Sequence, residues 1–589
     1  MERFLLQIQL GPVQDFIATA RKSRDLWYGS WLLSELSKAT ALAIAQAEGA
    51  VNALIFPAAT DFAQLAPDSP LNVSNHILAI VSGDPTEIAA AAKTAVMTRL
   101  HTLRDDAYRH VSSLIVTAAA QAQIDDMLEW YWSAVPVAEA TYQDNRRLAG
   151  ALLASRKGTR NFFQPSWALP VPKSSLDGGR ESVIPEHHFQ TGNELFLYRE
   201  FGARPAERLS GIDLLKRHGQ RVEESRFPST SHMAALPYQK SLEQATDEQT
   251  AELWHQYLYT LGLARERERV PTGWLHPLMQ LADGKLLFES RLSDLGLDEQ
   301  QAKASAQLLN RFLQHVAGSK RPLPYYALLL GDGDSMGKIL DAQTSSQAHR
   351  DVSKALAGFA EEVVTIVREH QGALVYAGGD DVLAFLPLHK AIACAAALAN
   401  AFREQLDSFS DEEGNKATFS AGLAITHHIE PMSDAFALAR RMEKAAKDVP
   451  GKNAFAVAID KRSGTTRTVS GKWDVFDKRL EKLIDFHRLD AFPDGAAYQL
   501  RDSAQRLAGQ NKALLHDEAK RIIRRKRAEG GTVAVNEKVE TYLIEQLTAV
   551  SVDQLAEELV VTKLLADAQT QAGLPLPNLE EDNDDNLDH

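Results

Sequence analysis

Between residues 325 and 460 the apolar positions alternate between two periods. Ala327-Leu328-Leu329-Leu330 is a short continuous apolar run, the pattern of a strand buried on both faces. From about Ser346 to His370 the spacing becomes helical and predicts a long amphipathic helix. Ala373-Leu374-Val375-Tyr376 and Val382-Leu383-Ala384-Phe385-Leu386 are two further apolar runs with glycines between them. A tight hairpin is predicted there, because glycine accepts the positive φ values such turns need. Helix 389–406, strand Ala417–Thr426, helix 433–447 and strand 454–459 complete the region. The order β-α-β-β-α-β-α-β contains a ferredoxin-like pattern.

Outside this region the periodicity is coarser. Residues 4–10 predict a strand, followed by a helix carrying Phe16, Ile17, Ala20, Leu26 and Trp27 and continuing through about Ala47. Val51–Phe56 and His76–Val81 predict strands, and Pro85–Leu103 an amphipathic helix. Residues 107–170, with the aromatic cluster Trp130, Tyr131 and Trp132, are expected to be mostly helical. From Phe162 to about Asn310 the pattern is irregular, with a helix at Gln301–Lys320, and residues 475–570 read as a small helical bundle. Sheets covered by helices make the expected fold class α+β. The expected divisions are 1–106, 107–320, 321–465, 466–575 and a disordered acidic tail at 576–589.

Composition narrows the function classes. A chain of 589 residues is long for one core and predicts several domains. No apolar run approaches the roughly 20 residues of a membrane span, and the N-terminal stretch reads as a strand rather than a signal peptide, so a cytoplasmic protein without membrane contact is expected. The single cysteine, Cys394, lies in an alanine-rich run; it reads as a buried thiol and excludes an intramolecular disulfide or a multi-cysteine zinc site. Adjacent side chains diverge on a helix or strand, so His187-His188 and His427-His428 do not read as metal sites. A formal net charge of −14 argues against gripping nucleic acid unaided over a large surface. The opposite-signed run Lys520–Arg527 is either a solvated helix face or a contact for RNA or an acidic partner.

The candidate chemistry is acidic. Gly331-Asp332-Gly333-Asp334 follows one predicted strand as a loop, and Tyr376-Ala377-Gly378-Gly379-Asp380-Asp381 forms the hairpin tip. Asp332-Gly333-Asp334-Ser335-Met336-Gly337 is no EF-hand, because Met336 and Gln343 stand where ligands are required and a strand precedes it. Converging carboxylates make sense with divalent metal and phosphate between them. Asp332, Asp380 and Asp381 are therefore candidate ligands and catalytic residues of a two-metal site, with ions roughly 3.5–4 Å apart. Asp334 is either a further ligand or a loop-capping carboxylate. Gly333, Ser335, Met336 and Gly337 at a helix start, with Gly378 and Gly379, are candidates for cradling ATP phosphates. Lys447 and Lys452 lie between a helix and the next strand, where lysines reach a triphosphate. Ser420 and Gly422, small residues beside the hairpin, leave room for a base.

At these residues the chain closely resembles the large subunit of type III CRISPR–Cas effector complexes of the Cmr (III-B) type. The hairpin motif alone is shared with GGDEF-type cyclases and polymerase palms. Gly11-Pro12-Val13-Gln14-Asp15-Phe16-Ile17, Asp25-Leu26-Trp27-Tyr28-Gly29-Ser30 and Ser420-Ala421-Gly422 are more specific. The resemblance implies two ferredoxin-like, nucleotide cyclase-type palms, the first degenerate and helping to hold the acceptor nucleotide, with helical domains between and after them. It implies Mg²⁺ (or Mn²⁺), ATP as substrate, and conversion of ATP into cyclic oligoadenylate when target RNA binds. Partners implied are the backbone, small and crRNA 5′-end-binding subunits, crRNA and target RNA. Some relatives join AMP to S-adenosylmethionine instead, and a non-catalytic scaffold is the third reading. The first palm begins almost at Met1, and His516-Asp517 lacks supporting histidines, so no HD-type DNase activity is expected.

Overall fold

Two mixed helix-and-sheet units have the same order in their first four strands. The structure is a computed structural model and describes residues 2–159, 171–219, 227–243, 245, 247–263, 283–462, 464–508, 512–525 and 533–577. The first sheet contains β1 (Phe4–Gly11), β2 (Leu54–Phe56), β3 (His76–Val81) and β4 (Glu129–Pro136), arranged β2-β3-β1-β4. The second contains β5 (Tyr325–Asp334), β6 (Ala373–Gly378), β7 (Asp381–Leu386), β8 (Thr418–His427), β9 (Ala454–Ile459) and β10 (Arg467–Lys472), arranged β10-β9-β8-β5-β7-β6. In both, the first strand lies between the third and the fourth, and the second pairs with the third at the edge. That is the ferredoxin-like arrangement. Only the β8–β9 pair is parallel, and the helix Met432–Lys447 makes its crossover.

Alternation along β5 sorts the core. Ala327 and Leu329 face the helices Ser346–Glu369 and Ala391–Leu406, whereas Tyr326 and Leu328 face the other way. That other face is covered by helix Met432–Lys447, through Ala435, Leu438, Ala439 and Met442. It belongs to one continuous core with β1, β3 and the helices Ser23–Glu48 and Pro85–Tyr108 of the first unit. The helices from Phe476 to Gln571 enclose a separate small core, as the periodicity predicts.

Four expectations are corrected. Trp130, Tyr131 and Trp132 lie in strand β4, not a helix, and pair with Leu10, Gln9 and Ile8 of β1. Aromatic residues favour strands, but the partner lies over a hundred residues away and helices flank the segment on both sides. Arg467–Lys472, assigned to the C-terminal bundle, is the edge strand β10; its polar composition carries no apolar signal, as suits an edge. The presumed acidic loop is not a loop, since β5 keeps its pairing with β8 through Asp334. The adjacent histidines do not diverge: ring centroids are 4.0 Å apart for His187 and His188 and 4.8 Å for His427 and His428. The first pair sits in a 3₁₀ turn and the second straddles the end of β8, where strand alternation stops. His428 is committed to packing, with its ring on Phe288 and Nδ1 2.8 Å from the Ser231 hydroxyl.

Other expectations meet ordinary structure. Cys394 is buried, and burial pushes its thiol up to about 12. In helix Lys512–Arg525, Ile522 and Ile523 point inward while Arg521 pairs with Glu518 at 2.6 Å. Lys526, Arg527 and the acidic tail from residue 578 lie outside the described residues. Among the described residues, no helix is long and apolar enough to cross a membrane.

The Asp25 motif has a structural purpose. Arg217 is fully buried and its Nη2 lies 2.6 Å from Asp25 Oδ2, tying helix Ser23–Glu48 to helix Gly211–His218. Burial, the largest influence, would raise the Asp25 carboxyl, but Arg217 together with Arg24 and Lys22 outweighs it and holds the group below its ordinary value. Asp25→Ala removes the nearer of two buried carboxylates from the guanidinium, leaving Glu207 at 3.7 Å, and is expected to cost about 3 kcal/mol, read by denaturant unfolding of the chain. Because the folded value is depressed, this contribution is present above the unfolded carboxylate value and lost as pH falls through the folded one.

Candidate active site

The hairpin forms as its sequence predicts. Gly378 pairs with Asp381, leaving Gly379 and Asp380 as a two-residue turn in which Gly379 takes a φ of 66°. The Gly333 N–H donates to the Asp380 carbonyl at 3.1 Å. This bond fixes the tip of the hairpin against the end of β5.

The carboxylates divide by face. Even-numbered positions of β5 put Asp332 and Asp334 on the side covered by helix Met432–Lys447. Asp381 shares that side with Leu383 and Phe385. Asp380 sits in the turn, and its Cβ lies 2.8 Å from where a Cβ on Gly333 would stand. Burial first, and then the charge of Asp381, raise the Asp380 carboxyl well above the ordinary range. Burial also raises Asp381, partly offset by the hydrogen bond from the Tyr376 phenol. Two adjacent acids in this state call for a shared proton or a cation.

Lys447 meets Asp332. Its ammonium group forms an ion pair with Asp332 Oδ2 and a second, at 2.6 Å, with Glu443 Oε1 one helical turn earlier. Burial, then the charge of Lys452, lowers the Lys447 ammonium. Lys472 of β10 joins them, donating to the Lys452 carbonyl. The helix after β5 is short, Met336–Asp341, and opens on Ser335 in the left-handed region with φ 60°. Met336 is buried and Gly337 exposed.

Two proposed binding residues are corrected. Ser420 is fully buried, and its hydroxyl donates to Asp334 Oδ2 at 2.8 Å. Gly422 leaves no room for a base: a Cβ there would stand 2.1 Å from the Glu443 backbone nitrogen. Small residues on β8 admit a helix, not a nucleotide. Asp334 Oδ2 also accepts from the Thr418 hydroxyl at 2.8 Å and the Asn453 N–H at 3.0 Å. Only Oδ1, buried without a partner, is left for a cation.

Sequence reasoning missed Glu443, Tyr376 as a partner of Asp381, and Lys472. Glu443 was findable as the i−4 neighbour of Lys447, whereas Lys472 sits on the unrecognised β10. The oxygens this region offers are those of carboxylates, the donor type that suits a hard cation such as Mg²⁺, which takes one or two carboxylates together with substrate phosphates. Among the described residues, no three His, Cys, Asp or Glu side chains are close enough to hold a metal ion together. The positive charge beside Asp332 is the Lys447 ammonium group.

Residues 325–456 match the family model described as Cas10/Cmr2, second palm domain, and residues 5–122 that described as CRISPR-associated protein Cmr2, N-terminal. The CRISPR system Cmr subunit Cmr2 of Pyrococcus furiosus is 28% identical over an alignment covering 82% of this chain and 64% of that protein. The chain therefore spans slightly under two thirds of that relative. A chain of the type III-B Cmr-β assembly, solved by cryo-EM in the apo state, superposes with a TM-score of 0.63 at 14% identity, covering 90% of this chain and 78% of that one. In the state bound to cognate target RNA the values are 0.62 and 13%, with 92% and 83% covered. At such identity the likeness is one of fold.

Ser420→Ala removes one of the three donors to Asp334 Oδ2. It is expected to lower stability by about 1–2 kcal/mol, measured by denaturant unfolding, and to leave ATP affinity unchanged. Weakened ATP binding at unchanged stability would return Ser420 to the base pocket.

Proposed function

We propose that this chain, whose residues 325–456 and 5–122 match Cas10/Cmr2 family models, is a member of that family and that its second palm is an ATP-dependent nucleotidyltransferase that makes cyclic oligoadenylate. The observation that carries the reading is the Asp380–Asp381 pair, both carboxyls driven upward, on a hairpin tip bonded to the strand that carries Asp332. A scaffold has no use for such a pair, because holding it together costs stability that a buried neutral pair would not.

The reaction joins a 3′-hydroxyl oxygen to the α-phosphorus of ATP and breaks the bond to the β-phosphate, releasing pyrophosphate as the hydroxyl loses its proton. Asp332, Asp380 and Asp381 would hold Mg²⁺ (or Mn²⁺), with Asp334 able to add only Oδ1. The bound metal would make the attacking hydroxyl more acidic and neutralise the departing pyrophosphate. Lys447 and Lys452 would supply ammonium groups to the triphosphate. The backbone between Ser335 and Lys338 approaches it from the end of β5. Gly378 and Gly379 let the hairpin tip come close without a side chain intervening. The Tyr376 phenol, bonded to Asp381, holds that carboxylate in place.

The matches to the Cas10/Cmr2 family models and the Cmr-β fold support placing the chain in a type III-B ribonucleoprotein with backbone, small and crRNA 5′-end-binding subunits, crRNA and target RNA, in the cytoplasm. The state bound to cognate target RNA supports RNA as the signal that starts synthesis.

The assembled, target-bound complex is incubated with labelled ATP and Mg²⁺, with and without S-adenosylmethionine. Cyclic oligoadenylate is the expected product in both, and Asp380→Ala with Asp381→Ala is expected to abolish it. A product only with S-adenosylmethionine would change the acceptor, and no product in either would leave a scaffold.

A further inference from the structure

The Lys447 ammonium group bridges two carboxylates of unequal standing. Asp332 belongs to the strand that carries the proposed metal-binding acids, and Glu443 lies on the same helix as Lys447 itself. A divalent cation arriving at Asp332 would compete with the lysine for the same oxygen. A lysine with no second anion would then be left beside the metal with its charge unmatched.

We propose that Glu443 is a positioning residue that acts through Lys447, keeping its ammonium group anchored when Asp332 turns to a cation. The inference rests on the reading of Asp332 as a metal-binding acid. Three features support it. Lys447 Nζ already lies 2.6 Å from Glu443 Oε1, in the favourable i, i+4 order with the acid nearer the helix N-terminus. Both side chains are only partly exposed, 26% for Lys447 and 18% for Glu443, so solvent screens the pair less than a surface one. The Glu443 backbone is fixed, because its nitrogen packs where a Cβ on Gly422 would stand. Helix Met432–Lys447 is thereby seated on β8 with the backbone of Met442 and Glu443 against Gly422, which fixes the point from which the Glu443 side chain reaches Lys447. From there the ammonium group exchanges Asp332 for a phosphate oxygen without crossing open solvent.

The test is a double-mutant cycle in the full-length chain, with Mn²⁺ alone as the probe and free Mn²⁺ followed by electron paramagnetic resonance. Glu443→Gln is expected to weaken Mn²⁺ binding about fivefold when Lys447 is present and to leave it unchanged in a Lys447→Ala background. Glu443→Asp, which keeps the charge, is expected to recover part of the loss. Equal weakening in both backgrounds would show Glu443 acting directly on the cation and overturn the proposal, as would no weakening in either. If Asp332→Asn binds Mn²⁺ as tightly as the unaltered chain, Asp332 is not a metal-binding acid, and the underlying reading falls along with this one.

Discussion

The second palm is built around an unfavourable charge arrangement. Asp380 and Asp381 are neighbours at a turn, only partly open to water, and folding raises both carboxyls. Ionising them works against the fold as pH rises, since the folded state binds the protons more tightly than the unfolded chain does. The surrounding elements limit that cost. The Gly333–Asp380 backbone bond pins the turn, Tyr376 holds Asp381, and Lys447 stands opposite on Asp332. Each contact comes from a different element, so the site exists only when the whole sheet has assembled.

Helix Met432–Lys447 links sheet and chemistry. Its apolar face joins the core shared with the first unit, while its last turn delivers Glu443 and Lys447 to the acids. The close approach at Gly422 sets its height above β8. Asp334 closes the same corner from within, accepting from Thr418, Ser420 and Asn453 and so tying β5 and β8 to the loop that carries Lys452. Of the two acids on β5, Asp334 is thus spent mainly on architecture, while Asp332 pairs with Lys447. The strand places them two residues apart on one face, which is why sequence spacing alone does not separate their roles.

Much of the palm is legible in the sequence because its elements are short, strongly periodic and punctuated by glycine. The hairpin, the strand at 454–459 and the helix from Ser346 follow from apolar spacing and from the turn chemistry of Gly379. What escapes depends on distant partners. Trp130–Trp132 become a strand by pairing with β1, and Arg467–Lys472 by pairing with β9; neither has the apolar alternation of a half-buried strand. Ser420 and Gly422 mislead for a related reason: smallness in a strand signals that something lies close, and the helix that fills the space is known only from the fold. Lys447 and Lys452 stand out in the sequence by their place between a helix and a strand, but the Lys447–Glu443 ion pair shows only once the helix is laid beside Asp332.

The central claim is that the acids are held together for a cation and a triphosphate, against the interest of stability. It is tested most directly by thermal unfolding of the full-length chain and of its Asp380→Asn, Asp381→Asn variant. Each is measured in EDTA and with Mg²⁺ plus a non-hydrolysable ATP analogue. The account predicts that the variant is the more stable in EDTA and gains nothing from the ligands, while the unaltered chain gains stability from them. A variant that is less stable in EDTA and still stabilised by the ligands would contradict it.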